Sequence, residues 1–234
     1  MCVIAIKTRD VKFPSYERVK NMCDNNDDGF AIVYHVIGEH VKQYRTLNKE
    51  KFLNKYQEIS TTHDASDVAL FIHARIKTHG SEKLENCHGW IDDDLGLAFA
   101  HNGILSIKNR GDLTDSETFF RDIFVPIFKV GGWDAGIKAI NAVIGTSKFV
   151  FMDFKGDIAY FGNYIKGDDD ILYSNNTYNY KKYVYGGDYY GKYASYVNPN
   201  YKKYADTPTS KKTPVNVYDY SDYDDWHNNE DWWD

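Results

Sequence analysis

The chain has 234 residues and a formal net charge of −6, so it offers no broad basic surface for nucleic acid. Its three cysteines, Cys2, Cys23 and Cys87, form a sparse, odd set that favours the reducing cytoplasm over a secreted disulfide framework. No apolar stretch approaches the roughly 20 residues that cross a bilayer, and no signal peptide is recognisable. We therefore expect a cytoplasmic protein that binds neither nucleic acid nor a membrane.

The first part of the chain alternates between predicted strands and helices. Short apolar runs rich in β-branched residues predict strands, and apolar residues three or four positions apart predict helices. In order, these are a strand at Val3–Ile6, a helix at Ser15–Cys23, a strand at Phe30–Val36, its hairpin partner at Val41–Arg45, a helix at Glu50–Ile59 and a strand at Val68–Ala74. Hairpin connections of this kind predict antiparallel sheets.

The second part adds more strands and a pair of helices. It predicts a strand at Leu95–Ala100, a helix at Glu117–Val125 that Pro126 should kink or end, a second helix at Trp133–Ile144, a hairpin of Phe149–Phe154 with Ile158–Phe161, and a last strand at Ile171–Ser174. Together the elements predict an α+β fold in which helices pack on antiparallel sheets. We expect this domain to cover residues 2–178.

Beyond about Tyr178 the composition changes, and 14 of the 20 tyrosines lie at or after Tyr173. We interpret residues 179–198 as a Tyr/Gly-rich extension and residues 199–234 as a disordered acidic, aromatic tail, because few branched aliphatic residues remain to offset the ordering entropy. The last nine residues contain three tryptophans. The tail is therefore either a solvated acidic segment or a segment that binds a partner protein.

Cys2 stands at the head of the first predicted strand. If Met1 is removed, Cys2 carries a thiol and a free α-amine on one residue. An α-amine titrates near pH ~8 and can take a proton at neutral pH, so this residue would combine a nucleophile with its base. The alternative is an inert cysteine buried on a strand, which is the commoner situation.

Three downstream motifs favour the nucleophile. They are His73-Ala74-Arg75-Ile76-Lys77-Thr78-His79-Gly80 followed by Asn86-Cys87-His88, then Ala100-His101-Asn102-Gly103-Ile104-Leu105, and then Thr114-Asp115-Ser116-Glu117. With Cys2 in front, the set resembles the class II, N-terminal nucleophile type of glutamine amidotransferase domain. That family opens with Met-Cys and carries His-x-Arg-x-x-Thr-x-Gly, Asn-x-His, His-Asn-Gly and Ser-Asp-Thr-Glu in the same order. The resemblance covers roughly residues 2–178.

The resemblance implies a four-layer αββα sandwich and an enzyme that hydrolyses the amide of glutamine, without a cofactor or a metal. Cys2 would be the nucleophile. Ammonia would pass to a separate acceptor or synthase, because nothing after Tyr178 has the apolar content of a second domain. The tail is a candidate segment for binding that partner. The other implied roles are Arg75 for the α-carboxylate of glutamine, Thr78 and His79 for the loop beside that carboxylate, Asp115 for the α-ammonium, and Asn102 with the Gly103 N–H for the oxyanion.

The charges of the motifs agree with this substrate. Glutamine carries both an ammonium and a carboxylate, so its site should supply one anion and one cation. Asp115 and Arg75 provide that pair. An amidase for an uncharged acyl chain would not need both charges.

Several of these residues also have an ordinary structural interpretation. Asp115 would serve as a helix N-cap, and Asn102-Gly103 is a strong hairpin-turn pair that could combine a turn with an oxyanion hole. His73 is interpreted as a core histidine with satisfied hydrogen bonds. A metal cluster finds little support, because no zinc-like spacing joins His73, His79, His88 and His101.

The chain departs from the family pattern at three positions. Val3 replaces the usual glycine after the nucleophile, Ile76 replaces a tryptophan and Gly89 replaces a proline. These changes leave two alternatives open, namely the hydrolysis of another amide or γ-glutamyl compound on the same fold, and a non-catalytic protein that acts through its tail. Cys23 is expected in the core, and Cys87 is expected near the site, where it could be oxidised with Cys2.

Overall fold

The computed structural model describes residues 2–76, 83–111 and 113–179. Within these ranges the strands are β1 Val3–Lys7, β2 Phe30–Val36, β3 Lys42–Thr46, β4 Val68–Ala74, β5 Trp90–Asp92, β6 Leu97–Asn102, β7 Lys148–Met152, β8 Ile158–Phe161, β9 Ile165–Lys166 and β10 Leu172–Tyr173. The α-helices are α1 Tyr16–Asn25, α2 Lys49–Thr62, α3 Asp115–Thr118 and α4 Val125–Val143. A π-helical turn, Phe119–Phe124, joins α3 to α4.

The strands form two antiparallel sheets. The first sheet has the order β3-β2-β4-β1-β10-β9, and the second has the order β5-β6-β7-β8. β1 lies near the middle of the first sheet and all of its residues are buried. Because side chains alternate along a strand, Val3 and Ala5 enter one core while Ile4 and Ile6 enter another. This two-sided burial explains why β1 is a continuous apolar run.

Three apolar cores hold these elements together. The first lies between the first sheet and helices α1 and α2, and contains Val19 and Phe52. The second lies between the two sheets and joins Phe71 to Val150. The third packs the α3–α4 region on the second sheet through aromatic side chains: Trp90, Phe99, Phe119, Phe120, Phe124, Trp133, Phe149, Phe151 and Phe161. Each fully buried side chain of this kind contributes about 1.5–3 kcal/mol, so these cores supply most of the driving force for folding.

The structure confirms the mixture of helices and antiparallel sheets, and β2 and β4 have the predicted bounds. The sequence does not predict β5 and β9, which are three and two residues long and therefore too short for a periodic pattern. Both lie at the edge of a sheet. The domain boundary near residue 178 and the tail at 199–234 stay predictions, because residues 180–234 lie outside the described part of the chain.

The helix pair differs from the prediction at Pro126. We expected Pro126 to kink or end a helix, but it lies in the first turn of α4, directly after the π-helical turn. A proline is tolerated there because its missing N–H needs no helical partner. The interruption falls instead at Gly131 and Gly132, where Gly132 has φ 57° and ψ −155°. Across the described residues, no helix is both long and apolar enough to cross a membrane.

Candidate active site

Cys2 immediately precedes β1, at the edge where β1 meets β4 and β10. Its Sγ donates a hydrogen bond to the Ile76 carbonyl at 3.6 Å, and its own carbonyl accepts one from Asn175 Nδ2 at 2.6 Å. Burial raises the pKa of the Cys2 thiol, and the nearby charge of Arg75 offsets part of that rise. The thiol is therefore protonated at neutral pH and needs a base before it can attack a substrate.

Arg75 follows β4 and lies beside Cys2. The β1–β4 register sets Val3 opposite Ala74, so the next residues outward are Cys2 on one strand and Arg75 on the other. The Arg75 N–H donates to the Gly29 carbonyl at 2.8 Å, and the Arg75 carbonyl accepts from Asp28 N–H at 3.0 Å. These bonds fix the backbone of Arg75, whose guanidinium side chain is buried. Thr78 and His79, predicted to lie in the same loop, fall outside the described residues.

Asn102 ends β6, in the second sheet, and Gly103 follows it directly. The hairpin interpretation of this pair is wrong, because α3 and α4 intervene before the chain returns as β7. Gly103 has φ 151°, and an added Cβ would lie 2.2 Å from Ser147 Oγ. Only glycine fits at this position, because a larger residue would be strained at this φ and would collide with Ser147.

Ser174 joins the two sheets at this edge. Its Oγ accepts from Ile4 N–H at 2.8 Å and from Asn102 Nδ2 at 2.8 Å, and its N–H donates to the Ile4 carbonyl at 2.9 Å. Asn175 holds Cys2 from the same segment. Sequence reasoning placed Ser174 at the end of a strand and missed both contacts, because their partners lie more than 70 residues away and leave no local pattern.

Asp115 begins α3 and faces the loop that follows Gly103. Its Oδ2 accepts from Leu105 N–H at 2.7 Å, and its Oδ1 accepts from Ser116 N–H at 2.8 Å. The interpretation of Asp115 as the N-cap is wrong, because Thr114 occupies that position and accepts from Glu117 N–H. The half-buried Asp115 carboxylate is thus held by the backbone on both sides of the loop–helix junction.

Three buried histidines lie between these elements. The rings of His73 and His88 stack with centroids 4.1 Å apart, and the His88 and His101 rings are nearly parallel at 6.2 Å. His88 Nδ1 donates to the His101 carbonyl at 2.6 Å, and His101 Nδ1 lies 2.7 Å from Ser116 Oγ. Burial lowers the pKa of His88 and of His101 to about 3, and lowers the pKa of His73 well below 6.5. All three rings are therefore neutral at pH 7.

His73 corrects one expectation. It is a core residue with no exposed surface, as predicted, but neither of its ring nitrogens has a hydrogen bond of ordinary geometry to another described residue. His101 Nε2 is likewise buried without a partner in residues 2–76, 83–111 and 113–179. The stacked arrangement, rather than hydrogen bonding, therefore places His73. Among the described residues, which omit His79, no three His, Cys, Asp or Glu side chains are grouped as metal ligands.

The remaining cysteines and family departures have simple structural explanations. Cys23 is buried in the first core, as predicted, and Cys87 is a buried free thiol. Burial raises the pKa of Cys87, while the Arg75 charge opposes that rise. Gly89 has φ 113°, which the ring of a proline cannot adopt, so a proline would not fit at this position. Ile76 contributes its carbonyl to the Cys2 thiol.

These features define a mixed α/β domain whose second residue is a cysteine that lies beside Arg75, and whose second sheet is tied to the first through Ser174 and Asn102. No family model matches the chain. It is 30% identical over 105 residues to the "Putative glutamine amidotransferase" of Haemophilus influenzae, a match that spans 44% of this chain and 34% of the relative. The chain thus matches about a third of that curated relative's length. This match confirms the resemblance to glutamine amidotransferases that the motifs predicted.

Solved structures with similarity to the chain carry related names. One is the glutamine phosphoribosylpyrophosphate amidotransferase of B. subtilis, with 17% identity, a TM-score of 0.48, and coverage of 74% of this chain and 42% of that one. Another is a glutamine aminotransferase class-II domain protein from Silicibacter pomeroyi, with 15% identity, a TM-score of 0.41, and coverage of 74% and 87%.

Proposed function

We propose that this chain is a glutamine-hydrolysing domain of the N-terminal nucleophile type, built as a four-layer αββα sandwich. The observation that supports it most is that Arg75 lies beside Cys2 at the sheet edge where Ser174 binds Asn102 of the second sheet. Cys2 lies beside Arg75 through the β1–β4 register, and Ser174 ties Asn102 to Ile4, two residues from Cys2. Asp115 holds the loop that leaves Gly103 through the Leu105 N–H.

The charges at this edge suit a free amino acid. The buried Arg75 guanidinium would grip the α-carboxylate of glutamine with paired hydrogen bonds, and the Asp115 carboxylate would accept from the α-ammonium. Arg75 directly follows β4, and Asp115 begins α3. A substrate held at both charges would present its side-chain amide to the thiol.

The first chemical step is a proton transfer from the Cys2 thiol. The buried thiol has a raised pKa, so it needs a base, and the α-amine freed by removal of Met1 would take the proton through a water molecule. The thiolate then attacks the amide carbon of glutamine, and the carbonyl π electrons move to the oxygen. The resulting oxyanion would accept from the Asn102 side chain and the Gly103 N–H.

Collapse of this intermediate completes the reaction. The C–N bond breaks, the α-ammonium of Cys2 returns its proton to the leaving nitrogen, and ammonia departs. Water then attacks the γ-glutamyl thioester, which releases glutamate and regenerates the thiol. The neutral, buried imidazoles of His73, His88 and His101 take no part in these transfers. The ammonia would pass to a separate acceptor or synthase protein.

The mature N-terminus tests the mechanism first. We expect N-terminal sequencing of the purified protein to begin at Cys2, with release of ammonia from glutamine by the same preparation. A protein that retains Met1 quantitatively and still hydrolyses glutamine would contradict the role of the α-amine.

Substitution and labelling of the nucleophile test the site. Cys2→Ala should reduce glutamine hydrolysis to the background rate while the unfolding temperature stays near that of the wild type. A glutamine-like electrophile should label Cys2, with buried Cys23 and Cys87 as internal controls in the same peptide map. Undiminished hydrolysis by Cys2→Ala would rule out this nucleophile, and label on Cys2 without glutamine turnover would point to another amide substrate.

A further inference from the structure

We propose that Ser174 is a positioning residue that orients the Asn102 amide so that its N–H₂ group faces the substrate oxyanion. This inference rests on the function proposed above. The two residues are far apart in the sequence and lie in different sheets. Ser174 follows β10 in the first sheet, and Asn102 ends β6 in the second. A single hydroxyl group therefore connects the nucleophile strand to the oxyanion residue of the opposite sheet.

The hydrogen-bond capacity of Ser174 limits how the Asn102 amide can be oriented. A serine hydroxyl has one O–H to donate and two lone pairs that accept. Ile4 N–H already donates to Ser174 Oγ at 2.8 Å. With Asn102 Nδ2 also facing Oγ at 2.8 Å, the hydroxyl accepts twice. In that arrangement Asn102 Oδ1 is buried and has no hydrogen-bond partner among the described residues.

Turning the Asn102 amide by 180° gives the buried amide oxygen a hydrogen-bond donor. The oxygen and nitrogen of an asparagine side chain have nearly the same shape, so their orientation is decided by their partners. After the turn, Ser174 accepts from Ile4 N–H and donates its own proton to Asn102 Oδ1. The buried unpaired atom is then a nitrogen carrying two N–H groups. A buried donor without a protein partner is the group that an oxyanion hole requires.

The backbone keeps Ser174 in place for this task. Its N–H donates to the Ile4 carbonyl at 2.9 Å, so Ser174 and Ile4 are joined by a pair of hydrogen bonds. The residue is 2% exposed, as is Asn102, and the bond between them lies out of contact with solvent. The neighbouring Asn175 is fixed on the Cys2 carbonyl. Ser174 therefore has little freedom to follow Asn102 if the amide rotates.

The kinetic consequence follows from when the oxyanion forms. Its charge develops only on attack by the thiolate, so a misoriented amide should lower kcat and leave KM nearly unchanged. Removing an oxyanion donor outright costs about 10²–10³ in rate. Ser174→Ala keeps the donor but frees its orientation, so we expect a loss of about 10-fold or more in kcat that stays below the loss caused by Asn102→Ala.

A double-mutant cycle separates positioning from general disruption. Ser174→Ala should lower kcat in the wild-type background but change it by less than about two-fold in the Asn102→Ala background, because the residue acts through Asn102. Electrophile labelling of Cys2 in each variant checks that the nucleophile remains competent. A full, independent loss in the Asn102→Ala background, or wild-type kcat in Ser174→Ala, would overturn the proposal.

Neutron diffraction from the deuterated wild-type protein decides the orientation without any assay. We expect deuterium on Ser174 Oγ directed at Asn102, and the two amide deuterons of Asn102 on the side away from Ser174. A map with the Asn102 ND₂ group facing Ser174 would overturn the inference, even if the protein hydrolyses glutamine. If the wild type fails to hydrolyse glutamine, the proposed function fails while the map still decides the orientation of the amide.

Discussion

Polar groups are buried at both ends of β1, but the two ends differ in how far these groups are hydrogen-bonded. At one end, the side chain of Lys7 is buried and its ammonium donates to the carbonyls of Thr8 at 3.1 Å, Ala65 at 2.6 Å and Val68 at 2.6 Å. Burial lowers the pKa of Lys7 to about 8, so at pH 7 it is mostly charged and uses all three N–H groups. At the Cys2 end, the two ring nitrogens of His73, His101 Nε2 and Asn102 Oδ1 are buried and have no hydrogen-bond partner within the described part of the chain.

We infer that this difference separates a structural site from the proposed binding site. A buried polar group without a partner costs free energy, so proteins keep few of them. The Lys7 ammonium is satisfied by the chain itself and has no capacity left for a ligand. At the Cys2 end the unpaired Asn102 amide atom leaves capacity for a substrate. The two ends should therefore respond to mutation in different assays, one in stability and the other in catalysis.

The largest effect is expected at the cation of the Cys2 end. Arg75→Gln removes the charge that would grip the α-carboxylate, and losing one partner of a buried charged contact costs about 2–5 kcal/mol. KM for glutamine should rise about 10²-fold or more, as measured by steady-state ammonia release. Arg121→Gln, on an exposed arginine paired with Glu117, is the matched control and should leave KM unchanged. Equal effects of the two variants would contradict the assignment of Arg75.

A smaller effect, confined to stability, is expected at the other end. Lys7→Met leaves three carbonyls without their donor, which should lower the free energy of unfolding by about 3 kcal/mol. KM for glutamine should not change, because Lys7 lies at the opposite end of β1 from Cys2. Urea denaturation measures the first quantity and the ammonia assay measures the second. The exposed Lys12 provides the control, and Lys12→Met should stay within about 0.5 kcal/mol of the wild type. A Lys7→Met variant that is fully stable but has a raised KM would reverse the comparison.

The smallest effect is expected from a change of one pH unit, which should alter the stability of the fold. His88 and His101 have pKa values of about 3 in the fold, against 6.5 for an ordinary histidine. Below pH 6.5 the unfolded chain therefore binds more protons than the folded one. Stability should therefore fall as pH drops below about 6.5, by about 1 kcal/mol per pH unit for each histidine. Urea midpoints between pH 7.5 and pH 5 measure this slope. His88→Phe should flatten it and exposed His40→Gln should not, whereas a flat wild-type profile would exclude neutral burial.

The sequence predicts the parts of this molecule that have local patterns. β2 and β4 have the predicted bounds because their residues are buried on both faces and form continuous apolar runs. The motif residues Cys2, Arg75, Asn102 and Asp115 lie at element ends, as the apolar runs before or after them indicate. The site assignments themselves stay predictions.

What the sequence does not predict depends on distant partners. Ser174 and Asn175 act on Ile4, Asn102 and Cys2, and a single hydroxyl or amide gives no periodic pattern from which such pairing is inferred. The prediction that Pro126 kinks or ends a helix was wrong for a related reason. Its effect depends on the π-helical turn before it, which aromatic packing in the third core stabilises and propensity does not encode.

The bond between Asn175 and the Cys2 carbonyl spans 173 positions of the chain, and the bond between Ser174 and Ile4 spans 170. During translation the first residues therefore emerge from the ribosome long before the segment that completes their surroundings. Contacts of such long range also close late in folding. The Cys2 thiol therefore meets its finished environment only after residue 175 has been made.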